Sequence, residues 1–267
     1  MTLPKPASAR LQGLRVLVTR AEDQSQALST LLEAEGASPV SIPVMRLQPL
    51  LSESRLEELR RSLWGGGFDD VVFTSANAVR LLLAGAPAEA RPSLRVFAIG
   101  PGTAASLGAL GWQVEELPQG FIAESLADSI VALGVAGRRL LLPRAQGARE
   151  VLPELLERAG ALVDVVPIYR MEPEPAAQVS LQLALRQGGL DWATFTSGSS
   201  VDCFLELAQG VPLPPRCAVA CIGPITAAAL RRAHIEPQVV APTHSMEGLV
   251  EALAASRVRL LENGRRP

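Results

Sequence analysis

"RVLVTRA" (Arg15–Ala21) and "RLLLPRA" (Arg139–Ala145) are one phrase written twice, 124 residues apart. The text around it repeats in the same order. "EGASPVSIPVMR" (Glu35–Arg46) returns as "AGALVDVVPIYR" (Ala159–Arg170), again after 124 residues. "VVFTSANAV" (Val71–Val79) returns as "ATFTSGSSV" (Ala193–Val201) after 122, and "IGPGTAASL" (Ile99–Leu107) as "IGPITAAAL" (Ile222–Leu230) after 123. Ordered matches at a near-constant offset mark an internal duplication of a unit of about 124 residues.

Each unit alternates strand and helix. Arg15–Thr19 is an apolar, β-branched run suited to a buried strand, and Ala27, Leu28, Leu31 and Leu32 then recur at helical spacing until Gly36. Val151, Leu152, Leu155, Leu156 and Gly160 repeat that plan. Ser38–Val44 reads as a strand, Arg55–Leu63 as a helix and Asp70–Thr74 as a strand, with a helix from about Ala76. Strand Arg95–Ile99, helix Thr103–Leu110, strand Gln113–Glu116 and helix Ile122–Leu133 follow. Such alternation predicts an α/β protein with two five-stranded, doubly wound parallel-sheet (flavodoxin-like) domains. The proline-bearing segments Ser41–Pro49 and Val165–Pro175 read as the linkers. Gly85–Pro92 and Gly210–Pro215 read as matching surface loops, and the tails Met1–Ala9 and Asn263–Pro267 as disordered.

Bulk composition narrows the function. Of 267 residues, 48% are hydrophobic but only 4% aromatic, and the net charge is −2. That leaves neither the basic footprint nor the stacking platforms of a nucleic-acid binder. Three cysteines without a C-x-x-C pair suit a reducing cytoplasm. The opening "MTLPKPASARLQG" has no apolar h-region, and no apolar run is long enough to span a bilayer. The expectation is a soluble cytoplasmic protein with no membrane partner.

Residues able to carry chemistry gather where strands end and helices begin, the edge at which open α/β sheets bind ligands. They are Thr19-Arg20, Thr74-Ser75-Ala76-Asn77, Gly100-Pro101-Gly102-Thr103, Pro143-Arg144, Thr196-Ser197-Gly198-Ser199 and Gly223-Pro224-Ile225-Thr226. Taken singly, Ser75, Thr103, Ser197 and Thr226 read as helix N-caps. Taken together, they offer hydroxyls and free helix N–H groups to an anion.

Gly100–Ala105 fits a loose dinucleotide pattern, G-x-G-x-x-A. It follows a late strand, however, Pro101 lacks a donor, and the second copy has Ile225 in place of the middle glycine. What both copies keep is Gly-Pro-x-Thr, which reads as a capped helix start facing a shared cleft.

No cofactor or metal is expected. His234 and His244 lack ligand-spaced partners and read as surface residues, while Cys217 and Cys221 lie on an apolar strand. Asp69-Asp70 reads as a strand cap. Tyr169, the only tyrosine, sits in the second linker opposite Met45 of the first copy, where a phenol could donate a proton.

"VLVTRA", "VVFTSANAV", "AIGPGTA" and "PIYR", in this order from about Leu14 to Ala254, resemble the uroporphyrinogen-III synthase family. The resemblance implies a discontinuous domain of 1–44 plus 171–267 and a second domain of 46–168, joined by two antiparallel linker strands. It implies a cofactor-independent lyase of tetrapyrrole (heme, siroheme, cobalamin) biosynthesis. Its substrate would be hydroxymethylbilane, a linear tetrapyrrole with eight carboxylates, handed over by hydroxymethylbilane synthase to a monomer.

On this resemblance Tyr169 helps the substrate hydroxyl depart. Ser75, Thr103, Ser197 and Thr226 line the cleft. Arg20, Arg144 and the turn backbones at Asn77, Gly102, Gly198 and Ser199 receive carboxylates. The alternative is a two-lobed cytoplasmic module that binds or senses a small molecule.

Overall fold

The computed structural model describes residues 9–84, 93–115, 123–148 and 150–262. Two compact units emerge, one of residues up to Leu47 together with those from Met171, the other of Gln48–Arg170. In chain order the described strands are β1 (Arg15–Val18), β2 (Ser38–Ser41), β3 (Met45–Pro49), β4 (Asp70–Phe73), β5 (Arg95–Ala98), β6 (Arg139–Ala145), β7 (Leu162–Pro173), β8 (Trp192–Phe195), β9 (Ala218–Cys221) and β10 (Val239–Val240). The helices are α1 (Glu22–Ala34), α2 (Glu53–Trp64), α3 (Ala76–Leu83), α4 (Pro101–Ala109), α5 (Ala123–Ala132), α6 (Val151–Arg158), α7 (Gln178–Gln187), α8 (Gly198–Ala208), α9 (Pro224–Arg232) and α10 (Met246–Glu262).

The first unit holds a sheet of order β10-β9-β8-β1-β2, parallel at every pairing. Because successive strand side chains point to opposite faces, β1 feeds two cores. Leu17 packs with Phe195, Phe204, Leu181 and Leu230 under α7, α8 and α9. Val16 and Val18 pack with Leu28, Leu32, Leu249 and Leu253 under α1 and α10. Each fully buried aliphatic side chain contributes roughly 1.5–3 kcal/mol. The β1–β8 seam carries a further lock: Thr19 Oγ1 donates to the Thr194 carbonyl at 2.8 Å, and Thr194 Oγ1 donates to that of Leu17 at 2.7 Å. Both hydroxyls are buried.

The second sheet has order β3-β7-β6-β4-β5, with the β7–β6, β6–β4 and β4–β5 pairs parallel. Val72, Phe97, Leu140 and Leu142 pack there with Leu126, Ile130, Leu152 and Leu156 of α5 and α6. Leu63, Val79, Leu82 and Leu107 of α2, α3 and α4 are also buried. The chain passes from one unit to the other within β3 and again within β7.

Asp69 and Asp70 divide the work assigned to a strand cap. Asp69 accepts from the Arg139 N–H at 2.8 Å, as Asp191 does from that of Arg15 in the first unit. Asp70, fully buried, is held by Arg95 at 2.7 Å and Arg138 at 2.8 Å. Burial alone would push its carboxyl up. The hydrogen bonds and charges of the two guanidinium groups outweigh that and hold it below the usual carboxylate range.

Three local expectations change. The strand expected over Ser38–Val44 stops at Ser41 and the chain resumes as β3, although Ile42 and Val44 still donate to the Val18 and Thr19 carbonyls at 3.0 Å and 3.4 Å. Gln113–Glu115 form no strand; the Glu115 N–H bonds to the Val96 carbonyl at 2.8 Å, and Glu116 lies outside the described residues. The matching edge strand in the first unit, β10, has only two residues, in keeping with short sheet edges. Thr103 and Thr226 are not caps: α4 and α9 start at Pro101 and Pro224, so the caps are Gly100 and Gly223. The threonines are the third helical residues and are buried. The loop read at Gly85–Pro92 and the tails before Ala9 and after Glu262 lie outside the described residues.

Candidate functional site

In each unit the singled-out residues stand at the carboxyl ends of neighbouring parallel strands. In the second unit these are Tyr169 on β7, Arg144 on β6, Ser75 and Asn77 after β4, and Gly102 and Thr103 after β5. In the first unit they are Arg20 after β1, Ser197, Gly198 and Ser199 after β8, and Thr226 after β9.

The clearest convergence is Ser75 with Tyr169. Ser75 has extended backbone and caps α3, its Oγ accepting from the Ala78 N–H at 3.1 Å. The same Oγ lies 2.9 Å from the Tyr169 hydroxyl. Between β7 and β4 stands β6, so the tyrosine reaches across two strand spacings, about 10 Å.

A bulge arranges this reach. Arg144 pairs with Pro167 but Ala145 pairs with Tyr169, leaving Ile168 as the extra residue. The flanking backbone is fastened by the Gln146 N–H to the Tyr169 carbonyl at 2.7 Å and the Leu50 N–H to that of Ile168 at 3.0 Å. The ring is only 4% exposed, so the phenol is fixed on its polar end and packed on its apolar body.

Arg144 lies at the end of β6. It is buried, and its guanidinium donates to the Ala148 carbonyl at 2.9 Å and to the Glu150 carboxylate. It therefore shapes the turn between β6 and α6. Asn77 accepts from Arg80 one turn along α3, at 2.5 Å. Gly102 is exposed, and a Cβ built there meets nothing within 4 Å, which leaves the start of α4 open to a ligand.

In the first unit Ser197 and Ser200 form a reciprocal capping box, at 3.1 Å and 3.3 Å. Ser199, next to Gly198, is exposed at the start of α8, and Ile225 is 61% exposed at the start of α9. Arg20 follows the buried Thr19 and precedes α1.

The twin glycines before proline have different causes. Gly100 takes φ +78° with ψ 156°, a conformation essentially closed to other residues. Gly223 is extended at φ 175°, and its missing side chain makes room for His244: a Cβ there would sit 2.9 Å from Cδ2 of the imidazole.

The first unit also contains a cavity of about 780 Å³ at the ends of β1 and β2, beside β3 and α7. Its polar lining, Ser41, Arg46, Glu174 and Ser180, was not picked out from the sequence. The signal was there in part, since Arg46 and Arg170 are the shared arginine of the two linker copies. Among the described residues no group of three or more His, Cys, Asp or Glu could hold a metal ion. No described helix is long and apolar enough to cross a membrane.

Two parallel-sheet α/β units, each presenting small polar turns at the ligand edge of its sheet, define a two-unit α/β protein acting on a bound small molecule. A family model described as uroporphyrinogen-III synthase HemD matches residues 26–251. The uroporphyrinogen-III synthase of Synechococcus elongatus is 32% identical over 258 residues, covering 92% of this chain and 97% of that one. A putative uroporphyrinogen-III synthase of Methanothermobacter thermautotrophicus is 32% identical over 252 residues, 90% of this chain and 97% of that one. The crystal structure of uroporphyrinogen-III synthetase from Helicobacter pylori 26695 has a TM-score of 0.62 at 18% identity, over 91% of this chain and 98% of that one. The chain belongs to the uroporphyrinogen-III synthase family. This favours the synthase over the two-lobed binding module.

Proposed function

We propose that the protein cyclises hydroxymethylbilane to uroporphyrinogen III with loss of water. The family match across residues 26–251 carries this reading. The substrate hydroxyl is protonated and leaves as water, giving an azafulvene cation. The substituted carbon of the last ring attacks it, and the spiro intermediate fragments and recloses with that ring inverted. The ring carbon that closes the macrocycle then loses its proton, which balances the one spent on the departing water.

The Ser75–Tyr169 pair supports a role in the first step. Ser75 Oγ already accepts from Ala78, so its own proton can point to the tyrosine oxygen. That leaves the Tyr169 proton free to meet the departing hydroxyl, as a general acid must. The rest of the catalysis is positioning, because a flexible chain has to be held with its two ends in reach. Within each unit the helix starts at the ends of the strands, those of α3 and α4 in one and of α8 and α9 in the other, present a positive dipole end that suits a carboxylate. In this reading Thr103 and Thr226 stiffen the first turns of their helices from within.

The proposal extends to a monomer in the cytoplasm, supplied by hydroxymethylbilane synthase. Three free thiols fit a reducing compartment. The test is incubation with hydroxymethylbilane, oxidation of the products and chromatography of the isomers. Type III in excess of a no-enzyme control is expected. An isomer ratio equal to that control refutes the reading.

A further inference from the structure

The cavity in the first unit pairs opposite chemistries. Arg46 supplies a cation, Glu174 an acceptor, Ser41 and Ser180 hydroxyls, and Ile42 and Met45 apolar surface. At about 780 Å³ it is of the size that takes a small organic ligand.

Its arginine is only loosely engaged. Arg46 Nη2 stands 3.6 Å from Glu172 Oε2, beyond hydrogen-bond distance, and the arginine side chain is 48% exposed. Ion pairs so exposed contribute little, so exchanging Glu172 for another carboxylate costs little. Glu174, by contrast, already has one oxygen committed, accepting from the Ala176 N–H at 3.2 Å where it caps the short helix Pro175–Ala177. Its remaining oxygen is an acceptor and so suits a donor, not a second anion.

A carboxylated pyrrole ring matches this set group by group. Its N–H donates to Glu174, its acid arm pairs with Arg46 and hydrogen-bonds Ser41 or Ser180, and its faces lie on Ile42 and Met45. We infer that this cavity is a subsite for one acid-bearing pyrrole ring of the bilane, with Arg46 as the residue that selects the carboxylate. The inference rests on the synthase reading above and adds to it a binding residue outside the strand-end turns.

The experiment measures KM and kcat for hydroxymethylbilane, with the isomer ratio, in the wild type, Arg46→Ala and Arg46→Lys, over a range of salt. Wild type must first produce type III above the no-enzyme control; if it does not, the function itself is wrong. Given that activity, Arg46→Ala is expected to raise KM about tenfold with kcat within about twofold. Arg46→Lys, which keeps the charge but loses the planar fork, falls between. The salt dependence of KM becomes shallower in Arg46→Ala, since one screened charge pair is gone. An unchanged KM in Arg46→Ala overturns the subsite. So does a fall in kcat with no recovery in Arg46→Lys, which marks a structural role only.

Discussion

Replacing Tyr169 by Phe removes one oxygen and leaves the ring, so its effects on folding and on chemistry can be separated. The folding cost follows from the contacts. The hydroxyl makes one described hydrogen bond, to Ser75, and Ser75 keeps its bond to Ala78. Losing a neutral hydrogen bond of this kind costs about 1 kcal/mol. For a chain of this length that lowers Tm by roughly 2–4 °C.

The chemical cost is set by a different scale. A positioned general acid contributes about 10²- to 10⁴-fold. At about 1.4 kcal/mol per tenfold, that is roughly 3–5 kcal/mol of barrier. Tyr169→Phe is therefore expected to fold, melt within a few degrees of wild type and turn over hydroxymethylbilane at least a hundredfold more slowly. Calorimetry gives the first number, and single-turnover consumption of the bilane gives the second. Ser75→Ala is the companion: it loses a helix cap worth about 1 kcal/mol as well as the tyrosine contact. A Tyr169→Phe rate within threefold of wild type refutes the proton-donor argument.

Two further predictions concern the scaffold. Asp70→Asn leaves Arg95 and Arg138 facing a neutral group in a buried position and should cost about 3 kcal/mol, read by urea denaturation. Since the folded carboxyl of Asp70 is held below its unfolded value, its stabilisation is present above the usual carboxylate range and is lost as pH falls through the folded pKa. The acid limb of the stability profile should flatten in the variant, and an unchanged limb refutes the assignment. The twin glycines should respond unequally. Gly100→Ala must adopt φ +78° and lose about 2 kcal/mol, whereas Gly223→Ala displaces only the exposed imidazole of His244 and should lose under about 1 kcal/mol. Equal losses contradict the two causes given for those glycines.

The sequence revealed what periodicity controls. β1, β4 and β9 are legible as apolar runs, and β6 and β8 as the repeat copies of β1 and β4; each of the five is buried on both faces. α1 and α6 were legible because their leucines recur at helical spacing. The missed features depend on one residue or on distant neighbours. The break between β2 and β3 falls within one apolar run, Ile42–Val44, whose N–H groups still bond to Val18 and Thr19. A proline at the first helical position moves the cap to the preceding glycine, so Thr103 and Thr226 turn inward.

At the candidate site, Tyr169 was conspicuous as the lone tyrosine and Ser75 as a cap residue. Their contact depends on strand order and on the bulge at Ile168, neither of which has a local signature. For Arg144 the family resemblance implies a carboxylate partner from the substrate, and the sequence carries no local sign of a partner within the chain. Its partner Glu150, six residues on, keeps it in the turn.

The seam between β1 and β8 also bears on how the chain is made. Val16, Leu17 and Val18 are fully buried in the finished protein, yet their neighbours on β8 are encoded about 175 residues later. At 5–20 residues per second the ribosome takes roughly 9–35 s to deliver them. For that interval a short, strongly apolar strand has only α1 and β2 for company, while Gln48–Arg170 emerges as one uninterrupted stretch. A premature stop before Trp192 thus does more than shorten the chain's end: it strands the nascent N-terminus without the strand that should lie beside it, a ready substrate for chaperones and proteases.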